Sequence, residues 1–153
     1  MRAMVGVLFV AVGFLCLSLL QPAYADRARS TPHVDVVGND YAFNPLPKRI
    51  KQGTTIFTFA NHGKVPHELA LGRLKKGTTI DEIIAGVKAG GRPRDYIERS
   101  VGVLVAGPGS SPEGKLLVDL QKGETYLVFC NFKDTPEAPA HILLGMYSVF
   151  RPE

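Results

Sequence analysis

The sequence has no tryptophan, and only two of its 153 residues are cysteine. So little cysteine excludes the disulfide framework of a small stapled scaffold. Charged residues make up 21% of the chain and hydrophobic ones 45%, with 18 basic side chains against 14 acidic, which excludes a disordered or fibrous chain and fits one globular domain. Long basic runs are missing too. Lys48-Arg49, Lys75-Lys76, and Arg92 with Arg94 are scattered among acids, as on a solvated surface, so nucleic acid is not an expected partner. Gly107-Pro108-Gly109-Ser110-Ser111 lacks the Lys-Ser/Thr that opens a helix after a phosphate loop. There is no readable Ser-His-Asp arrangement and the carboxylates are dispersed, so an enzyme is not expected.

The one long apolar run lies at the start. Arg2 supplies a positive charge, residues 5–20 are apolar apart from one Ser, and Ala23-Tyr24-Ala25 is a small-x-small cleavage site before Asp26. The expectation is a signal peptide over residues 1–25 and a mature domain over 26–153, periplasmic or secreted, with no membrane span after cleavage. The run is short for the ~20 residues of a spanning helix. Leu15 before Cys16 is too bulky for lipoprotein processing, so no lipid anchor is expected. Cleavage leaves 17 basic against 14 acidic side chains, with Cys130 as the one cysteine and Met146 as the one methionine.

Short β-type runs alternate with Gly, Pro and Asn punctuation at residues 33–37, 41–43, 54–60 and 67–71. Phe57 and Phe59 share one face of their strand, with Ile56 and Ala60 on the other. Residues 115–120 alternate so that Leu116, Val118 and Leu120 share a face, and 126–132 and 146–150 are β-branched and aromatic. Thr79-Ile80-Asp81-Glu82 has capping-box spacing, with Ile80, Ile83, Ile84 and Val87 on one helical face, which predicts one short helix ending at Gly90-Gly91. Residues 92–112, rich in Gly, Pro and Ser, predict a crossover passing over one side of a sandwich. Between Leu120 and Tyr126 the sequence fits either a tyrosine corner or an ordinary glycine turn.

Chemistry-bearing residues gather near the end. Cys130 is followed after ten residues by His141, and after four more by Met146, while His67 opens a strand elsewhere. Thiolate, two imidazoles and a thioether are the ligand set of a mononuclear copper electron-transfer site. Soft sulfur stabilises Cu(I) while imidazole suits both valences. Zinc fits less well, because thioether is a poor zinc ligand and structural zinc prefers several Cys. Each residue alone also has a plain reading: Cys and Met as core, His as a satisfied strand residue. His62 is expected in an exposed turn, and His33 as structural or exposed.

At these residues the chain resembles the cupredoxin, or blue copper, family. Tyr41-Ala42-Phe43-Asn44-Pro45 and the run from Lys51 to Asn61 look like its opening strands, Pro66-His67 like its first ligand strand, and Tyr126-Leu127-Val128-Phe129-Cys130 through His141 to Gly145-Met146 like its ligand loop. The resemblance implies an all-β, Greek-key, cupredoxin-like β-sandwich with one inserted helix. It implies one copper ion held by His67, Cys130, His141 and Met146, with Cys130 ending one strand and Met146 beginning the next. It further implies one-electron exchange with a redox partner that docks near His141, on an apolar patch supplied by Pro139-Ala140 and Ile142-Leu143-Leu144, although Leu143 and Leu144 could instead cap the sandwich core. Two departures stand out. Familiar members have two to four residues between Cys and the second His, and Glu68 stands where Asn or Asp often braces the loop. Glu68 could brace the longer loop or face solvent. Copper carriage without redox exchange, and a metal-free interaction module with Cys130 as inert core, stay open at this point; the oligomeric state is not readable.

Overall fold

The computed structural model describes residues 31–153. The leader and cleavage site expected from the sequence lie outside the described residues. Among those described, no helix is long and apolar enough to cross a membrane.

Among the described residues eight strands form two four-stranded sheets: β1 (His33–Asn39), β2 (Ala42–Phe43), β3 (Gly53–Asn61), β4 (His67–Leu74), β5 (Ile97–Ala106), β6 (Leu116–Leu120), β7 (Tyr126–Phe129) and β8 (Tyr147–Phe150). The first sheet runs β2-β1-β3-β6 and the second β5-β4-β7-β8. β1 and β3 are parallel, and every other pairing is antiparallel. Alternation dictates which side chains meet between the sheets. Val34, Val36, Phe57 and Phe59 from one sheet pack against Leu69, Leu71, Leu104 and Val128 from the other. Val118 and Leu120 join this core as their periodicity predicts, while Leu117 faces out.

A second apolar cluster covers the outer face of the second sheet, where Ala70, Leu127 and Phe129 pack with Ile83, Ala140 and Ile142. Helix α1 (Ile80–Lys88) supplies this cover through Ile80, Ile83, Ile84 and Val87. Its capping box is present as expected: Thr79 Oγ1 accepts from the Glu82 N–H, and Glu82 Oε2 accepts from the Thr79 N–H at 2.8 Å. Strand β7 is therefore buried on both faces, with Tyr126 and Val128 in the inter-sheet core and Leu127 and Phe129 beneath the helix. A strand buried on both faces reads as a continuous apolar run, and its end lies in dry surroundings.

Several boundaries differ from expectation. The crossover predicted over residues 92–112 contains the ten-residue strand β5, paired along β4, which itself extends to Leu74. Glu98, Arg99 and Ser100 mask that strand, because on an edge the outer positions face water and need no apolar side chain. Gly102 also belongs there for packing: a Cβ at that position would lie 2.6 Å from Leu116 Cδ2. β7 stops at Phe129 rather than residue 132, and β8 starts one residue after Met146, so Cys130 and Met146 flank the strands instead of belonging to them.

The turn into β7 is a tyrosine corner. The Gln121 N–H donates to the Tyr126 hydroxyl at 3.0 Å, and Tyr126 is buried. Tyr126→Phe leaves that N–H without its partner, and we expect a loss of about 1–3 kcal/mol in stability, read from denaturant unfolding; an unchanged midpoint and slope would show that the hydroxyl is not a structural tie.

Candidate metal centre

Four side chains converge at one end of the sandwich because four different elements deliver them there. β4 begins with His67, beside the end of β7, where Cys130 follows immediately. The Ile142 N–H donates to the Cys130 carbonyl at 2.8 Å, and the Cys130 N–H donates to the Met146 carbonyl at 3.1 Å. These bonds bring the 3-10 turn His141–Leu144 and the start of β8 against the thiol. Gly145 closes that turn at φ +108, in the left-handed region that a side chain disfavours, and the Met146 N–H then reaches the His141 carbonyl at 3.0 Å. Glycine before Met146 is thus a requirement of the turn.

His67 Nδ1 lies 3.1 Å from His141 Nδ1, and Cys130 Sγ lies 3.4 Å from His141 Nδ1 and 3.9 Å from His67 Nδ1. All three residues are buried, the most exposed being His141 at 1%. A first-row metal ion bonded at about 2.0–2.1 Å to imidazole nitrogen and about 2.3 Å to thiolate holds neighbouring ligand atoms roughly 3 to 4 Å apart. The three donor atoms have that spacing. Met146 is fully buried beside them, its methyl packed near β1, where a Cβ on Gly38 would come within 3.0 Å of Met146 Cε.

The electrostatics suit a bound cation. Burial lowers the His67 pKa, which favours the neutral imidazole that ligates metal. Burial pushes the Cys130 thiol up to about 11, opposed by N–H groups of Glu68 and Phe132 that favour the thiolate. A cation would supply the charge compensation that the dry pocket lacks. Glu68 has the bracing role: its Oε1 accepts from the Asn131 N–H at 2.9 Å, and its own N–H points at Cys130 Sγ at 3.4 Å. Partial burial raises the Glu68 pKa.

Residues that the sequence did not single out complete the surroundings. Asn61 is buried, and its amide donates to the carbonyls of Val65, Ala106 and Gly107, tying together three chain segments at this end of the sandwich. Asp40 Oδ1 stands 3.4 Å from His67 Nε2, and Asp134 Oδ1 stands 3.0 Å from His141 Nε2. Tyr41 covers both rings edge-on. Spacing could not mark Asp40, Tyr41 and Asp134, because they lie in a turn and an irregular loop with no period, and Tyr41 and Asp40 act through contacts between distant segments. His33 and His62 are exposed and outside the site.

The residues expected to form a docking patch are arranged differently from that expectation. With His141 at 1% exposure, its edge does not reach the surface. Leu143 packs with the cluster beneath α1, which leaves Leu144 as the exposed member of the pair. The loop between Cys130 and His141 places Asp134 against the ring edge.

No family model matches the sequence, and no curated protein matches it. Solved structures do resemble the fold. The dithionite-reduced auracyanin of the photosynthetic bacterium Roseiflexus castenholzii aligns with a TM-score of 0.55 at 19% identity, over 80% of this chain and 98% of that one. Auracyanin B aligns with a TM-score of 0.53 at 18% identity, over 80% and 88% of the two chains. Auracyanin A, a "blue" copper protein of the green thermophilic photosynthetic bacterium Chloroflexus aurantiacus, gives 0.50 at 18% identity, over 79% and 98%. The expected cupredoxin-like sandwich is the fold of this chain.

The raised thiol pKa has a signed consequence for the metal-free protein. Unfolded chain releases the Cys130 proton near its ordinary value of 9.0, whereas the folded chain keeps it until about 11. Stability present below the first value is therefore lost as pH rises toward the second, by roughly 2–3 kcal/mol. Denaturant unfolding across that range should show this loss in wild type and not in Cys130→Ser; parallel curves would mean that the thiol ionises alike in both states.

Proposed function

We propose that this chain is a mononuclear copper protein that passes single electrons, with His67, Cys130, His141 and Met146 as the ligands. The observation that carries the reading is the meeting of two imidazole Nδ1 atoms and one thiol sulfur, all buried, beside the one thioether of the domain. Copper bound there supplies a one-electron Cu(I)/Cu(II) couple. The protein's part is to hold both valences in one geometry: His67 is set by β4, Cys130 by the end of β7, and His141 by the 3-10 turn. Strands and a braced loop resist the rearrangement that a change of valence would otherwise invite.

The alternatives fare differently. A carrier must release its metal to a recipient, and a set of donors buried beneath Tyr41 and the 131–140 loop hinders that transfer. An inert core cysteine does not require two buried imidazoles aimed at its sulfur. Nothing about the site suggests a substrate position next to the four ligands, so we read the chain as a carrier of electrons rather than an enzyme. Its redox partner would approach over Tyr41, the half-buried cover of both histidines. Export by a removable leader to a periplasmic or extracellular setting belongs to the same proposal.

Titrating purified protein with Cu(II) tests it. We expect one copper per chain and a strong thiolate-to-copper absorption that bleaches reversibly on reduction. Tight Cu(I) binding without a stable Cu(II) form would favour the carrier, and no stoichiometric copper would overturn both. Cys130→Ser should abolish the band and greatly weaken binding, because a hydroxyl cannot replace soft anionic sulfur. Met146→Leu should keep copper and raise the reduction potential; complete copper loss in that variant would make Met146 a principal ligand.

A further inference from the structure

Each of the two histidines turns its Nε2 atom away from the thiol and toward a carboxylate, and the two carboxylates come from different parts of the chain. Asp40 and Tyr41 are the whole of the turn between β1 and β2, since Asn39 pairs with Ala42 across it. Asp40 Oδ1 accepts the Lys64 N–H at 2.7 Å while facing His67 Nε2 at 3.4 Å. The neighbouring turn approaches so closely that a Cβ on Gly63 would stand 2.3 Å from Asp40 Oδ1 and 2.9 Å from His67 Nε2. Only glycine leaves that carboxylate its place.

Tyr41 has φ +63, a left-handed conformation that a non-glycine residue disfavours. Such a position persists where surrounding contacts over-determine it, and the contacts here are with the metal centre. The Tyr41 ring lies edge-on to His141 with centroids 5.0 Å apart, and to His67 at 6.3 Å. Its hydroxyl donates to Asp134 Oδ2, while Asp134 Oδ1 faces His141 Nε2 at 3.0 Å. Asp134 lies in the long loop between Cys130 and His141, closed at its base by the His141 N–H donating to the Phe132 carbonyl at 2.8 Å.

We infer that Asp40, Tyr41 and Asp134 form a clamp that holds both imidazoles with Nε2 protonated and Nδ1 free toward the metal, and that this clamp is in place before any metal binds. The inference rests on the ligand assignment proposed above and deepens it. A neutral imidazole has one donor nitrogen and one acceptor, so a carboxylate facing Nε2 assigns the proton there and leaves the lone pair on Nδ1. All three are positioning residues, acting through the histidines. The ten-residue loop acquires a purpose: its length carries a carboxylate around the far edge of His141 to meet a tyrosine from the opposite sheet.

Nitrogen-15 NMR of metal-free protein, labelled at histidine and held at mildly alkaline pH, tests the clamp without copper. His67 and His141 should each show the Nε2–H tautomer with a proton shielded from water, while the exposed His33 and His62 average between tautomers. Asp134→Ala should release His141 and leave His67 fixed, and Asp40→Ala should do the reverse. In copper-loaded protein a Cu(I) chelator should strip Asp134→Ala about 10–100-fold faster than wild type. Asp134→Asn, whose amide oxygen can still accept from Nε2, should restore much of that difference. Averaged tautomers for His141 in wild-type metal-free protein, or an Asp134→Ala variant with wild-type tautomers and stripping rate, would overturn the clamp. Fixed tautomers in a protein that binds no copper would uphold the clamp and overturn the ligand assignment alone.

Discussion

Burying imidazole and thiol side chains away from water is unfavourable unless their polar atoms find partners, and this constraint organises one whole end of the sandwich. Here the inward atoms face one another and the outward atoms face Asp40 and Asp134, while the thiol sulfur takes the Glu68 N–H. The inward cluster is the part left uncompensated. With burial holding the Cys130 proton on and keeping His67 neutral, it presents soft, uncharged donors that a cation can pull into its own coordination.

The scaffold reaches this result by burying β7 on both faces. One face belongs to the inter-sheet core, and the other is covered by α1 and by the 3-10 turn that carries His141. The helix is thus more than an insertion between strands, because the same cluster that seats Ile83 also seats Ala140 and Ile142 on either side of His141. Packing beneath the helix and placement of His141 are one event. Asn61 does comparable work on the other side, where its amide gathers three carbonyls from the loops around His67.

Much of this architecture follows from the sequence alone. Alternation set the inward faces of β3 and β6, the capping box and the four apolar positions defined α1, and residue chemistry picked out His67, Cys130, His141 and Met146 from the background. These signals are local, carried by neighbours a few residues apart, and local periodicity survives in any context. Tertiary structure decided the rest. An edge strand with polar outer positions looks like a loop until β4 lies beside it, so β5 was hidden. The role of Glu68 depended on where Asn131 would pass, and the tyrosine corner on whether Gln121 would turn back far enough to donate. Asp40, Tyr41 and Asp134 lie in a two-residue turn and an irregular loop with no period to read. They reach the two histidines through tertiary contacts that also join Tyr41 to Asp134, 93 residues apart in the chain. Residue types and spacing determined which donors the chain has; only closure of the sandwich decided that both histidines would be buried with their outer edges held by carboxylates.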